Sequence, residues 1–171
     1  KGKYIAGGIR FTRRLSLIII IALVGASWFY FKLEESGVFI PFFGEFELGA
    51  LFPVFFLLVV IATFSGGVID GIDGLAGGTL AAAFSAYAGI AYFQNQIDLA
   101  AFSAVIVGVL LSFLWFNIPP ARFYMGETGI MGLTTALAVI AFLTDAVAAL
   151  LTIAFPITAA ALSSALQLAW K

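Results

Sequence analysis

Six long apolar runs dominate this sequence, and they constrain its fold more than any other feature. A helix needs about 20 apolar residues to cross a bilayer, and in lipid only helices and closed barrels satisfy their own backbone hydrogen bonds. The predicted spans are about Leu15–Phe31, Leu48–Ser65, Gly74–Phe93, Leu99–Phe116, Ile130–Thr144 and Ala146–Trp170. We therefore predict an all-α polytopic membrane protein with about six transmembrane helices.

The composition agrees with a membrane protein and excludes several other classes. Hydrophobic residues make up 63% of the chain and charged residues only 10%, far from the balance of a soluble domain. The absence of cysteine excludes disulfides and thiolate metal sites, and a net charge of −1 gives no reason to expect a nucleic-acid partner. The connections between spans are short, so we expect residues 1–171 to form one integral membrane domain.

The basic residues predict the orientation, because lysine and arginine in short loops stay on the cytoplasmic side. With six alternating spans, every basic residue except Lys32 falls on one side, so both ends are predicted to be cytoplasmic. The acids divide as well. Glu34, Glu35, Glu45, Glu47, Asp98 and Asp145 fall outside, whereas Asp70, Asp73 and Glu127 fall on the cytoplasmic side. We interpret the four outer glutamates as a solvated loop.

Two glycine-rich motifs with carboxylates directly precede spans on the cytoplasmic side. "GGVIDGIDGLAGG" covers residues 66–78, and "MGETG" covers residues 125–129, with Thr128 as a plausible N-cap. Helix starts expose backbone N–H groups that attract anions, and glycines let a ligand approach the backbone. Carboxylates there would repel a phosphate unless a cation lay between them, and Mg²⁺ binds both carboxylates and phosphate oxygens. The pattern therefore favours a magnesium-dependent phosphate site.

Simpler interpretations of the same residues exist. Asp-Gly sequences often serve only as turns, and a carboxylate near a helix start often only caps it. The spacing of Gly74 and Gly78 is typical of helix packing. The ligand spacing of an EF-hand calcium loop is absent.

The two motifs together are more specific than any of these single features. "DGIDGLAGG" at residues 70–78 and "FLWFNIPPARFYMGETG" at residues 113–129 resemble the two cytoplasmic signatures of the polyprenyl-phosphate N-acetylhexosamine-1-phosphate transferases, glycosyltransferase family 4. The match in order and spacing covers essentially the whole chain. The resemblance implies a ten-helix enzyme in which this chain corresponds to a middle portion, about the fourth to ninth spans. We accordingly expect this fragment alone to be inactive.

The resemblance also implies a reaction, since family members transfer a sugar-1-phosphate from a UDP-sugar to a polyprenyl phosphate, release UMP and use Mg²⁺. The "FLWFN" element favours UDP-N-acetylmuramoyl-pentapeptide as donor and undecaprenyl phosphate as acceptor. The implied location is the bacterial cytoplasmic membrane, with the active site on the cytoplasmic face. Membrane lipid and a second copy of the chain, in a homodimer, are the further partners we consider. We favour direct attack by the lipid phosphate oxygen on the phosphorus next to the sugar.

Site residues follow from the resemblance by position. The implied catalytic residues are Asp70, Asp73 and Glu127, with Glu127 as the metal ligand where the family usually has aspartate. The implied substrate-binding residues are Asn117, Tyr124, Gly71, Leu75 and again Asp73, with Tyr124 stacking on the nucleobase and Asp73 near the uracil. The chain departs from the family at Phe64 and Gly67, where two asparagines are usual.

Three rival interpretations stay open at this point. A relative that uses UDP-N-acetylglucosamine would share the same motifs. A small ion-coupled transporter would need carboxylates near the middle of spans, whereas the cytoplasmic acids of this chain lie at span ends. A scaffold protein without chemistry would not need the two signatures.

Overall fold

Helices make up most of the structure, a computed structural model that describes residues 11–34, 36–40, 44–65 and 74–155, without the side chains at 11, 12, 14, 65 and 127. The elements in chain order are α1 (Phe11–Lys32), β1 (Gly37–Ile40), β2 (Gly44–Glu47), a 3₁₀ turn (Gly49–Leu51), α2 (Phe52–Ser65), α3 (Leu75–Phe93), α4 (Ile97–Asn117), α5 (Gly126–Leu143) and α6 (Val147–Ile153). The predicted all-α architecture is confirmed, and the predicted spans correspond to these helices. Pro156 and most of the sixth span lie outside the described residues.

Within the described residues, three helices are long and apolar enough to cross a membrane, namely α1, α3 and α4. The helices α2 and α5 are apolar but shorter. The fifth span begins earlier than predicted, at Gly126 instead of Ile130, because its first turn is polar and a count of apolar residues does not include it. This difference places Glu127 inside α5.

The helices run alternately between two ends of the bundle. At one end, which we call the motif end, α4 finishes beside the start of α3, where Asn117 bonds to Gly74 at 2.8 Å. At the opposite end, the hairpin end, Gln94 Nε2 in the α3–α4 turn donates to the Thr144 carbonyl in the α5–α6 turn at 2.8 Å. The starts of α3 and α5 therefore share the motif end, as the predicted topology requires.

Helix α5 lies at the centre because its two faces pack into two separate apolar clusters. Leu137, Ile140 and Ala141 pack with α3, α4 and α6. Ala138 and Phe142 pack instead with α1, α2 and β1. Small residues permit this close contact on both faces, since Ala138 and Ala141 are both 0% exposed. A shift of α5 would therefore disturb both halves of the bundle.

A two-stranded antiparallel hairpin, which the sequence analysis did not predict, replaces the expected irregular outer loop. The strands β1 and β2 pair Val38 with Phe46 and Ile40 with Gly44. Val38 is buried while Phe39 is exposed, so the strand follows the usual alternation of a half-buried strand. The prediction of solvated acids is confirmed for Glu34, Glu45 and Glu47, which are exposed, whereas Glu35 lies outside the described residues.

Large apolar side chains cover the outer faces of α1 and α4. Trp115 is 80% exposed on α4, and Val24 is 67% exposed on α1. A contiguous apolar surface of this kind is a liability in water but the normal surface of a helix that faces lipid or another membrane helix. The exposed faces therefore agree with a polytopic membrane protein.

Candidate active site

Asn117, the last residue of α4, joins the two sequence motifs. Its side chain is 3% exposed. The Oδ1 atom accepts a hydrogen bond from the Gly74 N–H at 2.8 Å, and the Nδ2 group donates to the Phe123 carbonyl at 2.9 Å. Only this orientation of the carboxamide satisfies both partners, because one is a donor and the other an acceptor. The end of the Asp-Gly motif is thereby held against the loop between α4 and α5.

Gly74 occupies the position before α3, with φ of 77°. Such a backbone conformation favours glycine, since a Cβ atom is strained there. The residue that follows, Leu75, is the first of α3 and packs against the core, partly buried. Asp70, Gly71 and Asp73 lie outside the described residues, so their predicted roles stay predictions. The structure does locate Gly74, the residue through which their loop continues into α3.

The second motif loop, residues 118–125, is fastened to the end of α4. The Arg122 N–H donates to the Phe116 carbonyl at 2.9 Å. The Phe123 ring packs against Phe113 and Phe116, with ring centroids 5.3 Å and 5.9 Å away. Tyr124, the predicted nucleobase partner, is 48% exposed beside this anchored segment. The aromatic ring is thus presented at the surface of the motif end.

Glu127, the predicted metal ligand, is the second residue of α5. Its backbone lies in the first helical turn, and its side chain is outside the described part of the structure. Thr128 was wrongly predicted as the N-cap, because α5 begins at Gly126 and Met125 holds the cap position without a side-chain hydrogen bond. The start of α3 also receives no side-chain cap hydrogen bond. Both helix starts therefore direct first-turn N–H groups toward the motif end.

Gly77 allows α3 and α4 to approach closely beneath this site. A Cβ atom added at Gly77 would lie 3.0 Å from side-chain carbons of Phe113 and Leu114. A Cβ at Gly78 would meet no described residue within 4 Å. The predicted packing role of Gly74 and Gly78 was therefore wrong, because the close contact occurs at Gly77 and Gly74 serves the turn instead.

The metal prediction rests on residues that the structure does not describe. Within residues 11–34, 36–40, 44–65 and 74–155, no three Asp, Glu, His or Cys side chains lie together as a metal site would need. The candidate ligands are the side chains of Asp70, Asp73 and Glu127, all outside the described set. Their chemistry still suits Mg²⁺, since they offer only carboxylate oxygens and the chain contains no histidine or cysteine.

An apolar cavity of about 470 Å³ between the hairpin, α2, α5 and α6 is not a candidate for this chemistry. Its two hydroxyl groups already bond to their own helices, Thr63 to the Val60 carbonyl at 2.9 Å and Thr134 to the Ile130 carbonyl at 2.8 Å. None of the described residues that line it is charged. The motif end remains the candidate active site.

Comparison with known proteins now identifies the family. The profile of glycosyl transferase family 4 matches residues 6–145, which include both motifs and the Asn117 link between them. The chain belongs to glycosyl transferase family 4. The family resemblance recognised in the sequence is thereby confirmed.

Several curated relatives in this family share one name. Phospho-N-acetylmuramoyl-pentapeptide-transferase of Bacillus licheniformis is 38% identical over 128 residues, covering 74% of this chain and 40% of the relative. The proteins of the same name from Bacillus subtilis and Listeria monocytogenes are 40% and 38% identical over 128 residues, covering 74% and 73% of this chain. The chain spans about two fifths of the length of these relatives, 40% and 39% of the last two.

Sequence reasoning placed Asn117 in the site only through the family resemblance and missed its two partners. Gly74 lies 43 residues away along the chain, and the partner at Phe123 is a backbone carbonyl, which no side-chain pattern reveals. The available signal was a lone carboxamide at the end of an apolar helix, in "FLWFN". Such a group must find hydrogen-bond partners when it is buried.

Proposed function

We propose that this chain forms part of a transferase that moves phospho-N-acetylmuramoyl-pentapeptide from its UDP-linked donor to undecaprenyl phosphate and releases UMP. The observation that carries the proposal is 38–40% identity to relatives named phospho-N-acetylmuramoyl-pentapeptide-transferase over about three quarters of the chain. The donor and acceptor follow from that name and from the family resemblance. In this proposal the protein lies in the bacterial cytoplasmic membrane with its motif end at the cytoplasmic face.

The geometry of the motif end supports a phosphate-transfer site. Two helix starts, at Leu75 and Gly126, lie at the same end of the bundle, and neither has a side-chain cap hydrogen bond. First-turn N–H groups and the helix dipole favour a bound diphosphate. The exposed ring of Tyr124 lies on the adjacent loop, where a uracil could stack on it. The arrangement therefore suits a nucleotide with its phosphates toward the helix starts.

In this proposal the Glu127 carboxylate would hold the Mg²⁺ ion directly, with the catalytic carboxylates of Asp70 and Asp73 beside it. When bound, Mg²⁺ would offset the charge of the diphosphate and of the departing UMP. Gly71 and Leu75 would line the nucleoside pocket beside Asp73. Leu75 is suitably placed as the first residue of α3, partly buried and next to the anchored Gly74.

The reaction places the acceptor at the membrane surface. A phosphate oxygen of undecaprenyl phosphate attacks the phosphorus that carries the sugar, a new P–O bond forms, and the bond to the UMP oxygen breaks. This transfer needs alignment and charge stabilisation more than covalent help from the protein. The motif end lies where the apolar helices stop, which is the depth of a lipid phosphate group. Both substrates can therefore meet there.

The described acids tell against the rival transporter. Asp98, Asp145, Glu34, Glu45 and Glu47 are exposed and lie at the hairpin end, in turns, strands or a first helical turn. An ion pathway would need carboxylates near the middle of the spans. The described parts of the helices place none of their acids there.

The deciding experiment measures lipid-linked product. Full-length protein is incubated with undecaprenyl phosphate, Mg²⁺ and radiolabelled UDP-N-acetylmuramoyl-pentapeptide. Lipid-linked sugar and UMP are both quantified, and we expect them to form in equal amounts. A parallel reaction contains UDP-N-acetylglucosamine. We expect product only with the muramoyl donor. Product only with UDP-N-acetylglucosamine would contradict the proposed donor, and no product with either would contradict the proposed activity.

A further inference from the structure

We propose that Asn117 is a positioning residue that holds the two motif loops at a set distance and acts through backbone groups instead of touching the substrate. The inference rests on the proposed function and gives Asn117 a different role from the direct substrate contact that the family resemblance implies. It starts from one observation, a buried carboxamide whose oxygen and nitrogen both bond to motif-loop backbone.

The burial of Asn117 favours this indirect role. The side chain is 3% exposed, whereas Tyr124 on the same loop is 48% exposed. Its oxygen is occupied by the Gly74 N–H and its nitrogen by the Phe123 carbonyl. Each of these two atoms has a second hydrogen-bonding position, but Asn117 is 3% exposed, so a ligand could reach either position only if the surrounding backbone moved.

The two partners lie directly beside the residues that carry the proposed chemistry. Gly74 follows Asp73 in the chain, so the Gly74 N–H lies at the exit of the aspartate loop. Phe123 precedes Tyr124 and comes four residues before Glu127. Because one carboxamide bridges Gly74 and Phe123, it sets the separation of the aspartate loop from the start of α5.

The surroundings of Asn117 make this bridge rigid. Below it, the missing Cβ of Gly77 lets Phe113 and Leu114 of α4 pack directly on α3. Beside it, the Arg122 N–H bond to the Phe116 carbonyl holds the second loop on the same helix end. The end of α4 is therefore held in place by packing on α3, and Asn117 is the polar group that connects this helix end to both loops.

Alignment has a recognisable kinetic consequence. A displacement of reacting groups by about 1 Å can lower the rate by roughly 100-fold without removing any contact to the substrate. A lost direct contact with the nucleotide would instead raise KM. The ratio of the two effects separates a positioning residue from a binding residue.

Two substitutions and one control test the inference. Asn117→Asp keeps an oxygen that accepts from the Gly74 N–H. Its second carboxylate oxygen cannot donate to the Phe123 carbonyl and repels it. Asn117→Leu removes both bonds at similar size. Ser103→Ala is the control, since Ser103 lies on the same helix, is 0% exposed, and its Oγ has no hydrogen-bond partner within the described residues. Ser103→Ala should leave activity and structure unchanged.

The first readout is structural and does not depend on activity. The chain has no cysteine, so spin labels can be placed at Tyr92→Cys on α3 and Arg122→Cys on the second loop, both exposed positions. The label separation is roughly 25–30 Å, judged from the rise of a helix, and suits pulsed dipolar spectroscopy. We expect Asn117→Leu to broaden or shift the distance distribution by a few ångströms, Asn117→Asp to do so less, and Ser103→Ala to leave it unchanged.

The second readout is the kinetics of full-length protein. We expect Asn117→Asp to lower kcat by about ten-fold or more, while KM for UDP-N-acetylmuramoyl-pentapeptide stays within about three-fold. A raised KM with normal kcat would overturn the inference in favour of direct contact. Unchanged distances together with unchanged kinetics would overturn it in favour of an inert buried amide. If unmodified protein makes no lipid-linked product, the proposed function fails, and the distance measurement alone decides whether Asn117 holds the loops.

Discussion

Gly77 and Gly78 are neighbours in α3 with opposite surroundings. Gly77 faces α4, and a Cβ there would lie 3.0 Å from Leu114 and Phe113. A Cβ at Gly78 would have no neighbour within 4 Å in the described part of the chain. Gly77 therefore controls how closely two helices approach below the candidate active site. Gly78 only destabilises α3, because glycine loses more backbone entropy in a helix than other residues do.

These surroundings predict different effects for the same substitution. Gly78→Ala should be neutral or stabilise the protein by up to about 1 kcal/mol, because alanine favours helix and meets no neighbour. Gly77→Val should destabilise it by about 1–3 kcal/mol, because α4 must move away. Thermal unfolding in detergent measures both, with Gly78→Val as the size-matched control. Equal destabilisation by the two valine variants would show that the α3–α4 contact at Gly77 has been misjudged.

Glu127 is the residue on which the metal proposal depends most. Glu127→Gln should lower Mg²⁺-dependent UMP release by about 100-fold or more, since the amide keeps the shape but lacks the charge that a hard cation needs. Glu127→Asp should keep much of the activity, because aspartate is the usual family residue there. UMP release is measured over a Mg²⁺ titration in full-length protein. Near-normal release from Glu127→Gln would remove this residue from the site.

At the scale of elements, the α5–α6 turn holds the hairpin end together through three consecutive residues. The Thr144 carbonyl accepts from Gln94, the Ala146 carbonyl accepts from the Tyr87 hydroxyl at 3.0 Å, and Asp145 Oδ1 accepts from the Phe39 N–H at 3.1 Å. Asp145 adopts a φ of 46°, a conformation that aspartate and asparagine tolerate better than most residues. The turn thus joins α3, α6 and β1.

This arrangement predicts that the hairpin depends on Asp145. Asp145→Ala should lower the protection of the Phe39 amide from hydrogen exchange by about ten-fold, because the bond to the carboxylate is worth about 1–2 kcal/mol. Asp145→Asn should retain most of the protection, since its oxygen still accepts and asparagine tolerates the same backbone conformation. Hydrogen exchange with mass spectrometry follows the peptide that covers β1.

Asp98→Ala serves as the charge control for Asp145→Ala, because Asp98 is an exposed acid in the first turn of α4 at the same end. It should leave exchange in β1 unchanged. If Asp98→Ala exposed the hairpin as much as Asp145→Ala does, the effect would come from general charge and not from the bond to Phe39.

At the scale of the whole molecule, the candidate active site and the β-hairpin lie at opposite ends of the bundle. The motif end carries the starts of α3 and α5 and the exposed Arg122, whereas the hairpin end carries the β-hairpin and the exposed Glu45 and Asp98. The central helix α5 contributes to both apolar clusters and so connects the two ends. Such a division permits a ligand to be handled at one membrane surface only.

The basic-residue pattern predicts that the motif end faces the cytoplasm. Single cysteines at Arg122, Glu45 and Asp98 can be labelled from either side of sealed vesicles, because the chain has no native cysteine. The cysteine at position 122 should react only from the cytoplasmic side, and those at 45 and 98 only from the outside. Outside labelling at position 122 would reverse the topology and remove the active site from the cytoplasmic face.

The two motifs of the candidate site can be located from the sequence, partly by physical argument and partly by family resemblance. The glycines and carboxylates before two spans indicate an anion and cation site because helix starts have free N–H groups wherever they occur. The identities of the nucleotide and the sugar do not follow from that argument and came from family resemblance. Thr128 as a cap was wrong because the boundary of α5 depends on a polar first turn.

The sequence by itself determined the helical membrane architecture, because length and hydropathy are local properties and lipid leaves each span no alternative to satisfying its own backbone. Only the tertiary structure decided the hairpin, whose short strands depend on burial of Val38 and the bond to Asp145. It also decided which glycine packs and where the Asn117 carboxamide bonds. These features depend on partners tens of residues away, and a one-dimensional pattern carries no information about which distant backbone group a side chain meets.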